Sequence, residues 1–183
     1  VDSYGAPEPI LKEAKGELCP AQRPLALTQG AGWRSAVRFA AVETALPTAE
    51  ASLTGGACEV DVWGAGGAPL RGDIVLAAGS LTDKAVETRF APLKVSGRFA
   101  LNGDVLTGDV GAGPSGPVAT AQVTHDIASG RGRAVLAPST LTFAPDGLQP
   151  VQLSPAAALL TKVSGAAQAS ATVTWTKESL DGV

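Results

Sequence analysis

The stretch "KVSGRFALNGDVLTGDVGAG", residues 94–113, decides the fold class. Val95, Gly97, Phe99 and Leu101 fall on one side of an extended chain, and Ser96, Arg98 and Asn102 on the other. After a break at Asn102-Gly103, Leu106, Gly108 and Val110 continue the apolar set. Such period-2 alternation marks a strand with one dry and one wet face. An Asn-Gly-Asp break between two such runs is a strong hairpin signal. Nothing in the stretch carries reactive chemistry.

The same pattern recurs along the chain. Residues 36–42 set Val37, Phe39 and Ala41 against Arg38. Residues 58–63 set Cys58, Val60 and Val62 against Glu59, Asp61 and Trp63. Further strands are expected at 73–77, 85–90, 118–125 and 167–175. In 85–90, Val86 and Phe90 share the apolar side. Gly-, Pro- and Ser-rich breaks at 64–69, 111–117 and 128–133 separate these runs. With spacings of about 10–16 residues the expected fold is mainly β, an antiparallel meander of hairpins. One short helix is expected near 154–162, where Ser154 can cap, Pro155 suits the first turn and Gly165 stops it. Residues 7–16 are a second helix candidate. Leu70, Gly72, Asp73 and Ile74 echo Leu106, Gly108, Asp109 and Val110, suggesting stacked hairpin units of about 34–36 residues. We read the chain as one β-rich segment, 1–183, with sub-units at 17–79, 80–137 and 138–183.

Composition narrows the function classes. The 183 residues carry a net charge of −3, so no basic excess is available to neutralise phosphates, and no nucleic-acid partner is expected. Aromatics make up only 4%, which suits thin repetitive layers better than a thick core. No apolar run is long enough for a transmembrane helix, and the start has no signal-peptide pattern. The chain begins at Val1 and has no Met, so it reads as a processed product or, preferably, a fragment of a longer repetitive protein. Cys19 and Cys58 fit one disulfide in an oxidising compartment, the alternative being two buried thiols.

Catalytic constellations are missing. The single His125 sits beside Asp126, yet no nucleophile elbow accompanies it, and it reads as a surface strand residue. Asp73 and Asp109 read as solvated carboxylates rather than an acid/base pair. The glycine loops lack the phosphate-loop pattern and do not lead into helices. Trp33, Trp63 and Trp175 read as core or rim packing before carbohydrate stacking. No metal, no cofactor and no enzymatic activity are expected.

The C-terminal third resembles a known family. "STLTFAPDGLQPVQLSPAAALLTKVSGAAQASATVTW", residues 139–175, is similar to a recurring module of YdbH-like proteins, relatives of the TamB and AsmA-like group in the Gram-negative envelope. "GELCPAQRPL" around Cys19 and "GACEVDVWG" around Cys58 are similar too, less specifically, so the resemblance covers residues 10–175. It implies an open, taco-like or elongated sheet whose apolar groove conducts phospholipids between inner and outer membranes. It also implies a periplasmic location, a full-length protein anchored in the inner membrane, and an outer-membrane lipoprotein as a partner, with this segment itself soluble. The candidate groove residues are Val86, Phe90, Val95, Phe99, Leu101, Leu106 and Val110, facing phospholipid acyl chains. The competing reading is a structural or adhesive β-sandwich that binds protein or carbohydrate.

Overall fold

The computed structural model describes residues 32–182. They form one antiparallel sheet of eleven strands: β1 (Trp33–Ala40), β2 (Glu43–Leu46), β3 (Ala51–Thr54), β4 (Ala57–Gly64), β5 (Arg71–Asp83), β6 (Leu93–Asn102), β7 (Val105–Gly113), β8 (Ala119–Asp126), β9 (Arg131–Phe143), β10 (Gly165–Trp175) and β11 (Leu180–Gly182). The order is a meander. β1 and β2 make one broken rung, β3 and β4 the next, and every later strand pairs with its predecessor. The sheet is open, and one sheet runs through all three expected sub-units.

The quoted stretch is the β6–β7 hairpin. Leu101 pairs with Leu106, Phe99 with Gly108 and Gly97 with Val110, so the apolar sets of both strands share a face. The turn is Gly103–Asp104, one residue later than the sequence suggests, because Asn102 still pairs with Val105. Gly103 takes the positive φ of 62° at the first central position, the placing a tight II′-type hairpin turn uses.

That face runs from edge to edge. One row crosses Val37, Val60, Ile74, Phe99, Gly108, Val123, Ala134 and Val173. The opposite face carries Arg38, Glu59, Arg98, Asp109 and Gln122 in register. Arg34 adds a hydrogen-bonded ion pair to Asp61 across β1 and β4, with its guanidinium 5.7 Å from the Trp63 ring centroid.

Alternation alone would not keep the apolar set on one side. In β5 the inward residues are Gly72, Ile74 and Leu76, then Gly79 and Leu81. In β9 they are Gly132, Ala134 and Leu136, then Ser139 and Leu141. The parity changes because an extra residue enters each strand, between Leu76 and Gly79 and between Leu136 and Ser139. Both bulges lie just beyond one row, Leu76–Gly97–Val110–Ala121–Leu136. The break between β1 and β2 at Ala41 (φ 52°), the break between β3 and β4 at Gly55 and Gly56 (φ 69° and 85°), and Ala78 of β5 (φ 55°) sit at the same level. Bulges bend strands, so their alignment draws a crease across the sheet, perpendicular to the strands. The buried apolar residues next to the crease, Val42 and Val95, are inward ones. The sheet therefore folds toward its apolar face and makes a trough.

Two sequence expectations fail. Residues 85–90 form no strand but a loop, 84–92. The Asp83 carboxylate accepts hydrogen bonds from the Ala85 and Arg89 backbone N–H groups at 3.1 and 2.5 Å and from the Arg89 guanidinium at 2.8 Å. Local capture of this kind competes with ladder pairing. The helix near 154–162 is likewise absent. Two 3₁₀ turns, Pro150–Gln152 and Pro155–Ala157, stand in its place. The residues before each proline, Gln149 and Ser154, are held extended. The Ser154 hydroxyl donates to the Arg89 carbonyl at 2.6 Å instead of capping. The few residues left before Lys162 (φ 56°) are too short a run to offset helix nucleation.

Gly56 tests the crease. A Cβ there would lie 2.4 Å from the Ala77 carbonyl oxygen, at a φ that already disfavours side chains, whereas one on Gly55 would meet nothing within 4 Å. Gly55→Ala is expected to cost about 1–2 kcal/mol for the left-handed backbone alone. Gly56→Ala is expected to cost more, about 3 kcal/mol or above, in urea unfolding of the two variants side by side. Equal losses would contradict the close approach.

Candidate functional site

The apolar face of the trough is the candidate site. Its floor is apolar: Val60, Ile74 and Leu76 from β4 and β5, Phe99 from β6, Val110 and Val123 from β7 and β8. The alternation of each strand points these side chains the same way, and antiparallel pairing sets them in rows. All described strands lie in one open sheet and no described side chain is fully buried, so no second layer of described residues encloses this face. Most of its side chains are half-buried, and none of the large hydrophobic side chains among the described residues is fully enclosed.

The seven sequence candidates divide. Val95, Phe99 and Leu101 of β6 and Leu106 and Val110 of β7 share the apolar face, with Val95 and Leu101 each 8% exposed. Val86 and Phe90 do not belong to it as strand residues. Both sit on the 84–92 loop, and Val86 is fully exposed. The sequence reading missed Leu53 and Leu81, which face inward beyond the crease and pair with each other. Their parity is opposite to that of the strand segments before the crease, so simple alternation assigns them to the wrong side.

One rim of the trough carries a strap. The loop 144–164 between β9 and β10 crosses to the loop between β5 and β6. The Ala91 N–H donates to the Leu153 carbonyl at 3.0 Å, next to the Ser154–Arg89 bond. The neck of the strap is tied by Gln149, whose Oε1 accepts from the Val163 N–H at 2.9 Å while its Nε2 donates to the Val163 carbonyl at 3.0 Å. Arg89, fixed by Asp83, also donates to the Ala49 carbonyl at 2.6 Å. Its guanidinium holds the Asp83 carboxyl far below the usual carboxylate range. This rim is thus ordered by polar bonds.

Near the opposite rim lies the one buried imidazole. His125 reads from sequence as a surface residue, but β8 alternation turns it inward, where it is 8% exposed. It shares a row with Gly132 and Trp175. The indole Nε1–H donates to His125 Nδ1 at 3.1 Å, and the two rings stack with centroids 5.9 Å apart. Gly132 makes this reach feasible, since a Cβ there would stand 2.2 Å from the Trp175 ring. Nδ1 as acceptor carries no proton. Burial pushes the imidazole pKa down, opposed more weakly by the Arg131 backbone and the charge of Asp126. His125 Nε2 is buried with no hydrogen-bond partner among the described residues.

Cys58 faces the trough from β4, half-buried, and burial raises its thiol pKa. In its reduced form it stays protonated at neutral pH and is a poor nucleophile. Its sequence-level partner Cys19 and the helix candidate 7–16 lie outside the described residues. Asp73 and Asp109 point to the polar face, away from the trough. No cluster of three metal-ligating side chains occurs among the described residues, and no helix of the described residues is long and apolar enough to cross a membrane. No family model, curated protein or solved structure matches this chain.

His125 gives a pH prediction. Its folded pKa lies below the unfolded value of about 6.5. The unfolded chain therefore binds the proton first. Stability is expected to be level above that pH, to fall as pH drops through it, and to stop falling once the folded imidazole also protonates. His125 is the single histidine, so urea midpoints measured between about pH 7.5 and 5 should lose this slope in His125→Gln. An unchanged slope in the variant would contradict the assignment.

Proposed function

We propose that this sheet is a segment of a bridge-like envelope protein whose apolar trough carries phospholipid acyl chains between the inner and outer membranes. The observation that carries the reading is the apolar face, continuous from β1 to β10 and covered by no second layer among the described residues. Seven strand spacings of about 4.8 Å give it a width of about 34 Å, enough for an extended acyl chain lying across the strands. Acyl burial contributes about 0.8 kcal/mol per CH₂ and asks for dryness, not for directed chemistry. The small Ala, Val and Gly side chains of β7 to β10 leave room above the sheet. The polar reverse face keeps such a sheet wet on its other side. The likeness of residues 139–175 to YdbH-like modules fits a periplasmic protein of this kind, anchored in the inner membrane and meeting a partner at the outer one. No catalytic step belongs to this reading.

Photo-crosslinking tests it. A benzophenone amino acid at Phe99 or Val123, in the trough, is expected to yield phospholipid adducts when the protein is irradiated in envelope-derived material. The same probe at Thr107 or Thr124, on the polar face, is expected to yield none. Absence of adducts from both trough positions in active protein would overturn the proposal.

A further inference from the structure

At one corner of the sheet a cavity touches both faces. Arg34, Trp63 and Arg71 stand side by side on the polar face, one each from β1, β4 and β5. Trp33 has the parity of Val37 and so belongs to the dry face. Its indole rests over Gly64, where a Cβ would meet Trp33 Nε1 at 3.0 Å. These residues, with Pro69 of the β4–β5 loop, line one open cavity of about 620 Å³. That volume lies within the usual range of small-molecule sites. Along its strands a single-layer sheet keeps its faces apart, and only at strand ends can one cavity reach both. The lining divides by chemistry. The wet side presents two guanidinium groups, and no carboxylate among the described residues lines the cavity. Asp61 takes Nε and Nη2 of Arg34, which fixes that guanidinium and leaves Nη1 outside the pair. Arg71 is exposed. The dry side is indole, glycine and proline.

We infer that this corner binds the phosphate group of an amphiphile, held by Arg71 and Arg34 while the apolar tail passes Trp33 onto the dry face. The path of the tail rests on the trough reading above, whereas the phosphate contact does not. Guanidinium forks bind phosphate through paired, charge-assisted hydrogen bonds. A tetrahedral phosphate holds its oxygens in more than one plane, so two forks from two strands can reach it together. A planar carboxylate is filled by one fork, as Asp61 is by Arg34. Indoles suit the boundary between the two halves, because each has an apolar body and a polar edge. A phosphate alone would leave the indole side of the cavity empty. An uncharged apolar ligand would leave both guanidinium groups unmatched. An amphiphile with a phosphate head satisfies both sides at once.

Titration calorimetry of the full chain tests this with three probes: dihexanoyl phosphatidic acid below its micellar concentration, dihexanoylglycerol and glycerol phosphate. The phosphatidic acid is expected to bind at least about tenfold tighter than either fragment. Added salt is expected to weaken it more than it weakens the diacylglycerol. Arg71→Gln is expected to lose the advantage over dihexanoylglycerol, with an unchanged circular dichroism spectrum. Arg131→Gln removes another exposed arginine, further along the same polar-face row, and is expected to keep the advantage. Glycerol phosphate binding as tightly as the lipid would make the ligand a free phosphate ester and overturn the inference. Equal binding of phosphatidic acid and dihexanoylglycerol, or an advantage that survives Arg71→Gln, would overturn it too. Phosphatidic acid that binds through Arg71 while probes on the trough floor capture no acyl chain would refute the trough reading and uphold this site.

Discussion

One constraint governs the molecule: each strand must deliver its apolar side chains to the same face while the sheet bends. A strand has a side-chain period of two, so a bend that inserts one residue would send everything beyond it to the wrong side. Here the inserted residues are matched to the sequence. In β5 the inward set passes from Leu76 to Gly79 and in β9 from Leu136 to Ser139. The apolar residues of the sequence shift parity at the same points. The first two rungs make the same adjustment at Ala41 and at Gly55-Gly56. β6 and β10 carry their apolar positions on odd residues throughout. Crease and hydrophobic pattern are two aspects of one design.

A one-layer sheet forgoes the enclosed core that stabilises a sandwich. Its cohesion comes from long ladders, from apolar neighbours paired across strands, and from polar ties at the rims. Asp83, Arg89 and Gln149 order the loops at one rim through bonds to backbone groups. Near the other rim Trp175 lies across Gly132 to reach His125. What remains is a broad half-wet apolar surface. Such surfaces on soluble chains mark binding sites, and a sheet whose other face is polar can leave this one free for a ligand that needs only dryness.

Much of this was legible in the sequence. Strict alternation located β4, β6, β7, β8 and β10 to within a few residues, and the shared face of Val95, Phe99, Leu101, Leu106 and Val110 followed from it. The misses have local causes. Val86 and Phe90 alternate as strand residues do, but the Asp83 carboxylate takes up the backbone groups a strand would use. "SPAAALL" has the composition of a helix, but Pro150 and Pro155 divide its surroundings and Ser154 spends its hydroxyl on a distant loop. His125 looked like a surface residue because nothing nearby in sequence discloses Trp175 and Gly132, which come from two other strands. The aligned bulges were hidden because each is a single residue, visible only once neighbouring strands are in register.

The central claim is that the apolar face, which no described residue covers, is open to a ligand. Thiol accessibility tests it most directly. Val123→Cys, in a chain whose native cysteines are replaced by Ser, places one reporter on the trough floor. A water-soluble maleimide is expected to label it readily in lipid-free protein and slowly once phospholipid is bound, with Thr124→Cys on the polar face labelled equally in both. A Val123→Cys thiol that resists labelling without lipid, while Thr124→Cys reacts, would mean that something else covers the face and would contradict the account.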